Sequence, residues 1–102
     1  MVQYNFINNA CLTKDDGGGI YTSSSAAYPG AATNGSIIRH NIVDGVTGTL
    51  AGWSKWNIPY GEGIYLDTSA GGVTVDHNTV ANCTANGIYL HNSYNETVAY
   101  NT

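Results

Sequence analysis

The segment Gly63-Ile64-Tyr65-Leu66-Asp67 decides the fold, because its first three residues recur at two other places in the chain. The other copies are Gly19-Ile20-Tyr21, which lies 44 residues earlier, and Gly87-Ile88-Tyr89, which lies 24 residues later. Along the segment, apolar and polar residues alternate as in a short β-strand, so we expect isoleucine and leucine to face inward and tyrosine and aspartate outward. Since no stretch shows sustained helical periodicity, the sequence predicts an all-β protein.

A second unit, apolar-x-x-Asn-x-apolar, lies between the Gly-Ile-Tyr copies. Its occurrences, whose Asn residues are 36, 37 and 23 positions apart, are Val2–Ile7, Ile38–Val43, Val75–Val80 and the shortened Val98–Thr102. The shortest complete period is therefore 23 to 24 residues, and the longer periods carry insertions. A coil of this length buries its apolar face only against stacked neighbours. The repeat thus predicts a short parallel β-helix of about three coils over residues 1–102, which is either a single domain or a fragment of a longer β-helix.

Stacking at about 4.8 Å per coil places residues of equal repeat position in vertical columns. We expect one interior column of isoleucine (Ile20, Ile64, Ile88) and three outward columns. The outward columns are Tyr21, Tyr65 and Tyr89; the mixed rings of Tyr4, His40, His77 and Tyr100; and Asn5, Asn41, Asn78 and Asn101. An Asn at a corner accepts left-handed backbone geometry and can bond the amide of the next coil. Arg39 is expected to form a structural ion pair with Asp76.

Two insertions, over residues 23–34 and 44–61, interrupt the repeat. Loops of this length are often functional. Because both insertions leave the same solenoid, we expect them to form the walls of a groove. The second holds Trp53, Trp56 and Tyr60, whose rings can stack on sugar rings. The alternative is that the tryptophans fold back and cover the solenoid, since a Trp seldom stays wholly exposed.

Composition excludes several classes of function. Lys and Arg together number three and the formal net charge is −4, so a nucleic acid is not an expected partner. The chain has no apolar stretch long enough for a membrane span, and no signal-peptide core follows Met1. Cys11 and Cys83 match no zinc spacing and are expected two coils apart, which predicts two free thiols.

The segments Asp15–Thr22, Gly63–Asp67 and Val73–Asn78 resemble bacterial right-handed parallel β-helix proteins of the pectate-lyase-like superfamily. The resemblance covers nearly the whole chain apart from the insertions. It implies a secreted, carbohydrate-active protein whose partner is an extracellular polysaccharide or oligosaccharide. Because the superfamily includes hydrolases, lyases, epimerases and non-catalytic fibres, it implies the fold more closely than the reaction.

Carboxylates next to the Gly-Ile-Tyr strands are the candidate catalytic groups. Aligning Gly19 with Gly63 brings Asp16 and Glu62 to adjacent coils. Asp67, at the end of the second strand, is the alternative candidate. Glycosidases need two carboxyl groups that flank the scissile bond, and neighbouring carboxylates separate their pKa values so that one remains an acid. We therefore expect Asp16 and Glu62 to catalyse hydrolysis. The structural alternative is a simple turn at Asp16 and a solvated Glu62.

Further residues near this face are weaker candidates. His91 aligns with Asp67 one coil away and is expected either in substrate binding and acid–base chemistry or in a surface contact. A lyase needs a strong base, for which only Arg39 and Lys55 qualify. We expect no cofactor; calcium is the only ion considered, at Asp15, Asp16 and Glu62, but no loop has a calcium-loop spacing.

The sequence therefore predicts a glycoside hydrolase acting on an extracellular polysaccharide. Two alternatives remain at this point. One is a non-catalytic solenoid whose open ends stack into a filament, because terminal repeats normally need a polar cap and the first and last coils show none. The other is a glycan-binding module without a reaction.

Overall fold

The computed structural model describes residues 1–51 and 57–102; Trp53 and Trp56 lie outside these residues. Ten short strands follow one another in chain order. They are β1 (Val2–Gln3), β2 (Phe6–Ala10), β3 (Gly17–Thr22), β4 (Ile37–Arg39), β5 (Ile42–Val46), β6 (Gly61–Leu66), β7 (Thr74–Asp76), β8 (Thr79–Ala81), β9 (Ile88–Leu90) and β10 (Thr97–Ala99). The described residues contain no helix with the length and apolar content to cross a bilayer.

The strands form three parallel sheets, each of which takes one strand from every coil. Sheet A has the order β1-β4-β7-β10, sheet B the order β2-β5-β8, and sheet C the order β3-β6-β9. The pairing register aligns Ile20 with Ile64 and Ile64 with Ile88. This is the alignment that the Gly-Ile-Tyr repeat predicts, so the parallel β-helix with about three coils is confirmed.

The interior of the coils is aliphatic. Ile64, Val43, Val75 and Leu66 are fully buried, while Ile88 at one side of the stack is partly buried against them. A fully buried aliphatic side chain contributes about 1.5–3 kcal/mol relative to an exposed one, so the inward column provides most of the attraction between coils. Cys11 and Cys83 pack against this core as free thiols, and burial raises the pKa of both.

The asparagine column lies at the corner between sheets A and B, but it is buried rather than outward. Asn41 and Asn78 are each 1% exposed. Each Asn side-chain oxygen accepts hydrogen bonds from the backbone N–H and the side-chain amide of the Asn in the preceding coil, as between Asn41 and Asn78 at 3.0 and 2.9 Å. The expected bond between coils is present, although the backbone N–H that each side-chain oxygen bonds belongs to the preceding coil rather than the next one. The outward orientation is wrong because the amide replaces water for the backbone groups of the corner.

The left-handed residue of this corner is the ring residue before each asparagine. The φ angles at Tyr4, His40, His77 and Tyr100 are 57°, 52°, 53° and 56°. Left-handed geometry costs a non-glycine residue roughly 1–2 kcal/mol. The rings stack at centroid spacings of 5.2 Å along the whole column. This stacking and the asparagine hydrogen bonds offset the cost of the left-handed geometry. The predicted ring column is therefore confirmed.

The two insertions differ slightly from their predicted bounds. The first occupies residues 23–36, between β3 and β4. The second occupies residues 47–60, because β5 extends through Val46 and β6 already begins at Gly61. The predicted ion pair is present beside sheet A, where Arg39 Nη2 lies 2.7 Å from Asp76 Oδ2 and Arg39 Nε donates a second bond to Asp76 Oδ1 at 3.0 Å.

Candidate functional site

Three tyrosines stack on the outer face of sheet C, opposite the isoleucine column. The register aligns Tyr21 with Tyr65 and Tyr65 with Tyr89. The first pair meets edge to face with ring centroids 5.2 Å apart, and the second is tilted at 5.1 Å. Tyr65 is only 3% exposed although it faces away from the core, because its neighbours in the column cover it. The rings thus form a second, external layer of packing.

Asp67 ends the middle strand of this face and receives four hydrogen bonds. Its Oδ1 accepts from His91 Nδ1 at 2.8 Å and from the backbone N–H and hydroxyl of Thr68 at 2.6 and 3.1 Å. Its Oδ2 accepts from the hydroxyl of Tyr21 at 2.7 Å. Burial alone raises the pKa of Asp67, but the donors from His91, Thr68 and Tyr21 outweigh burial and lower it to about 2. Asp67 is therefore an ionised carboxylate at neutral pH.

His91 occupies the position of Asp67 one coil later. The backbone fixes this alignment, because the N–H of Asp67 bonds the carbonyl of Thr22 and the N–H of His91 bonds the carbonyl of Leu66. A carboxylate accepts only, so Nδ1 of His91 carries the proton, and in the neutral ring Nε2 accepts from the Asn92 amide at 3.2 Å. The predicted alignment of His91 with Asp67 is thus a direct contact.

Asp16 approaches the same face from the other end of the strands. It directly precedes β3, is exposed, and has a φ of 48°. Its Oδ1 lies 3.4 Å from the hydroxyl of Tyr65, which lies 3.5 Å from His91 Nδ1. Burial raises the pKa of Tyr65, and the charges of Asp67 and Asp16 raise it further, so the phenol stays protonated and acts as a donor between them.

We call this set the tyrosine–carboxylate face. It consists of Asp16, Tyr21, Tyr65, Asp67, Tyr89 and His91. Two ionisable carboxyl groups, an imidazole and three phenols meet here at the surface. The side chain of His91 is 42% exposed and that of Asp67 is 17% exposed, so solvent or a ligand reaches both.

Glu62 has a different environment from the other predicted carboxylates. It pairs with Gly18 in register, as the alignment of Gly19 with Gly63 requires. However, it is 1% exposed, and its Oε2 accepts a 2.6 Å bond from the backbone N–H of Asn86 in the next coil. The structure therefore brings Asp16 and Asp67 to the tyrosine–carboxylate face, whereas Glu62 is buried and holds the third coil.

The predicted sugar-stacking residues are placed only in part. Tyr60 lies directly before β6 and is half-buried, and its backbone passes close to Gly48 in the same insertion. Within residues 1–51 and 57–102, no three His, Cys, Asp or Glu side chains come together as a metal site would need.

Sequence reasoning missed three donor residues of this site, Tyr21, Thr68 and Asn92. A signal for the first was present: Tyr65 and Asp67 are two residues apart on one strand, so the column that contains Tyr21 runs beside Asp67 on the same face. Asn92 gave no such signal, because it follows the last strand residue in a turn where alternation no longer applies.

Comparison with known proteins supports the architecture. A family model described as "Right handed beta helix region" matches residues 2–102. No curated protein and no solved structure shows a significant match to the chain. Since the match covers nearly every residue and the three parallel sheets agree with it, the chain belongs to the right-handed β-helix family.

Proposed function

We propose that this β-helix is a glycoside hydrolase that acts on an extracellular polysaccharide at the tyrosine–carboxylate face, with Asp16 and Asp67 as the two carboxyl groups. The observation that carries the proposal is that both carboxylates, from adjacent coils, surround the single hydroxyl of Tyr65 on an accessible face. Carboxyl groups that share one phenol oxygen lie on the scale of the roughly 5–9.5 Å separations used by glycosidases. Because Glu62 is buried against Asn86, Asp67 takes the place given to Glu62 by the sequence.

The environments of the two carboxylates differ, because Asp67 accepts four hydrogen bonds whereas Asp16 is exposed. Four donors keep Asp67 ionised, so Asp67 cannot be the proton donor. Exposed Asp16 then protonates the glycosidic oxygen as the bond to the anomeric carbon breaks. Asp67 either takes a proton from the attacking water or attacks the anomeric carbon itself, the two schemes that glycosidases use.

The groups around Asp67 have distinct supporting roles. Tyr21 is 48% exposed and donates to Oδ2, so water or a sugar hydroxyl replaces it more easily than it replaces the three donors on Oδ1. His91 and Thr68 fix the orientation of the carboxylate from the other side. The first insertion follows β3 and the second precedes β6, so they adjoin opposite ends of the sheet C strands.

The test removes each carboxylate in turn. Asp16→Asn and Asp67→Asn are each expected to lower kcat by about 10²- to 10⁴-fold on a panel of polysaccharides, the usual contribution of one acid or base. The matched control is Asp44→Asn, which changes a carboxylate that contacts Asn8 and Asn82 on another sheet. Unchanged turnover in Asp16→Asn would show that the pair is misassigned.

One observation favours a second candidate, a glycan-binding module without a reaction. Asp67 accepts four hydrogen bonds, three on Oδ1 and one on Oδ2, a number typical of a carboxylate with a structural role. The same panel separates the two functions. A binding module shows affinity for a glycan without release of reducing ends, and its affinity survives Asp67→Asn.

A further inference from the structure

A cavity of about 290 Å³ lies beyond the carboxyl end of the sheet C strands. Its walls are the first insertion around Gly30 and Asn34, the turn at Gly71 and Gly72, and Tyr94 with its neighbour Asn95. Ligand pockets begin at about 300 Å³, so this cavity is of a size for one sugar ring rather than for an extended chain.

The cavity is held open by a fixed hydrogen-bond network. The buried hydroxyl of Thr33 donates to the carbonyl of Gly71 at 2.9 Å and accepts from its N–H at 2.8 Å. The N–H of Gly30 donates to the carbonyl of Ser69 at 2.8 Å, and that of Gly35 to Gly72 at 3.0 Å. The first insertion is thus bonded to the turn after β6, which makes the cavity part of the folded scaffold.

Tyr94 forms one wall because the opposing residues are glycines. A Cβ on Gly71 would lie 2.6 Å from the ring carbon Cζ, and a Cβ on Gly30 would overlap the hydroxyl oxygen. Tyr94 is nevertheless 37% exposed, so part of its ring is free for a ligand. An aromatic face beside the side-chain amides of Asn34 and Asn95 is a combination suited to a pyranose, whose C–H face packs on the ring and whose hydroxyls pair with amides.

The cavity lies only a few residues along the chain from the tyrosine–carboxylate face. Gly71 follows Asp67 by four residues and Tyr94 follows His91 by three, and the two segments run in parallel through a bridge between Gly71 and Tyr94. Four residues span at most about 14 Å, a distance that a short oligosaccharide covers. One glycan chain can therefore lie in both places.

The charges of the described residues near these two places disfavour a polyanionic ligand. The cavity walls carry no acidic or basic side chain. The adjoining face presents Asp16 and Asp67, and the protein has a net charge of −4. Arg39 is committed to Asp76 beside sheet A, and Lys14 lies against Gly17 at the opposite end of the strands. A glycan of uronic acids would meet like charge along this path.

We infer that the cavity at Tyr94 is a subsite for an uncharged pyranose, and that the substrate of the adjoining face is a neutral polysaccharide. The inference rests on the proposed hydrolysis for the position of the reacting bond, but the subsite itself is a matter of binding. It assigns a specificity to the first insertion that the carboxylates alone do not provide.

The test measures binding by calorimetry to the full chain carrying Asp67→Asn, so that no probe is consumed. The probes are hexasaccharides of cellulose, xylan, β-1,3-glucan and mannan, with a hexagalacturonate as the anionic probe. We expect at least one neutral probe to bind and the hexagalacturonate to bind at least tenfold more weakly. Preferred binding of the hexagalacturonate, or binding of no probe, would overturn the inference.

Variants then locate the binding in the cavity. Adding Tyr94→Ala is expected to weaken binding of the neutral probe at least tenfold. The control is Tyr28→Ala, at a 73% exposed tyrosine of the first insertion, which is expected to leave binding unchanged. Asn95→Ala is a second variant in case Tyr94→Ala fails to fold. Equal affinity in the cavity variants contradicts the subsite.

Failure of the subsite and failure of the hydrolase are distinguishable. If the native chain hydrolyses hexagalacturonate and Tyr94→Ala leaves that rate unchanged, the subsite is wrong while the hydrolase stands. If a neutral probe binds at Tyr94 but the native chain releases no product, the proposed reaction is wrong while the subsite stands.

Discussion

Removing one buried asparagine from the corner ladder should destabilise the whole solenoid. In Asn78→Ala, the lost side chain is the one whose Oδ1 accepts from the N–H and Nδ2 of Asn41. Its Nδ2 lies within 3.0 Å of three acceptors, the carbonyls of Ile38 and Asp76 and the side-chain oxygen of Asn101. Because an amide nitrogen has two hydrogens, about four hydrogen bonds are lost, and the partners remain buried away from water.

At about 1 kcal/mol net for each bond, Asn78→Ala is expected to lower the free energy of unfolding by about 4 kcal/mol. A domain of this size is stable by only about 5–15 kcal/mol, so the loss should lower Tm by roughly 15–30 °C. The control is Asn5→Ala at the exposed end of the same ladder, where the lost amide donates to Gln3 and Asn41. Since water can replace those bonds, about 1 kcal/mol is expected.

The assay is urea and thermal unfolding followed by circular dichroism, with the native chain and both variants at one concentration. The expected order of midpoints is native, Asn5→Ala, then Asn78→Ala, with a clear gap before the last. If Asn78→Ala and Asn5→Ala differ by less than about 1 kcal/mol, the buried ladder contributes no more than its exposed end, and the energetic reasoning is refuted.

Two further predictions concern acid and packing. Because the pKa of Asp67 falls from its ordinary value near 3.8 to about 2 in the fold, its stabilising effect is present above about pH 4 and is lost as the pH falls from about 4 to about 2. At about 1.36 kcal/mol per pKa unit, the loss amounts to about 2 kcal/mol. Urea titrations at pH 7, 4, 3 and 2 should show this loss for the native chain but not for Asp67→Asn. A parallel loss in the variant would assign the acid sensitivity to other groups. Gly63→Ala should cost about 3 kcal/mol or more in thermal unfolding, because a Cβ there overlaps Val80 and the carbonyl of Gly87, whereas Gly87→Ala, with its nearest contact at 3.7 Å, should cost under about 1 kcal/mol. Similar midpoints for the two alanine variants would contradict the close approach of coils at Gly63.

The fold was predictable from the sequence because the solenoid makes its register visible in the chain. The Gly-Ile-Tyr copies and the Asn units each recur once per coil, and the pairing of Ile20, Ile64 and Ile88 follows from their alignment. The contact of Asp67 with His91 came from the same alignment. Residues at equal repeat positions come into contact between adjacent coils, and this can be predicted without knowing the geometry of the corners.

The parts that could not be predicted lie where alternation ends. Asn41 was expected to face outward, but the left-handed residue before it turns the chain so that its amide points to buried backbone groups. Glu62 was expected on the carboxylate face, yet it is fully buried on the backbone of Asn86. In both cases backbone groups bond a polar side chain, from the preceding coil and its own coil for Asn41 and from the next coil for Glu62. A sequence does not show which backbone groups lack other partners.

The columns themselves separate structural from chemical positions. Where every coil carries the same residue type, as in the Ile and Asn columns, like groups pack or bond to like groups, and stacking alone explains them. The position shared by Ser23, Asp67 and His91 differs, because three unlike side chains occupy one column at the rim of sheet C. A repeated Ser or Thr would also stack in this column, so stacking does not require an ionised carboxylate beside a half-exposed imidazole. The stacking of like groups therefore does not by itself account for the residues of this column, and this is the column on which the proposed chemistry is placed.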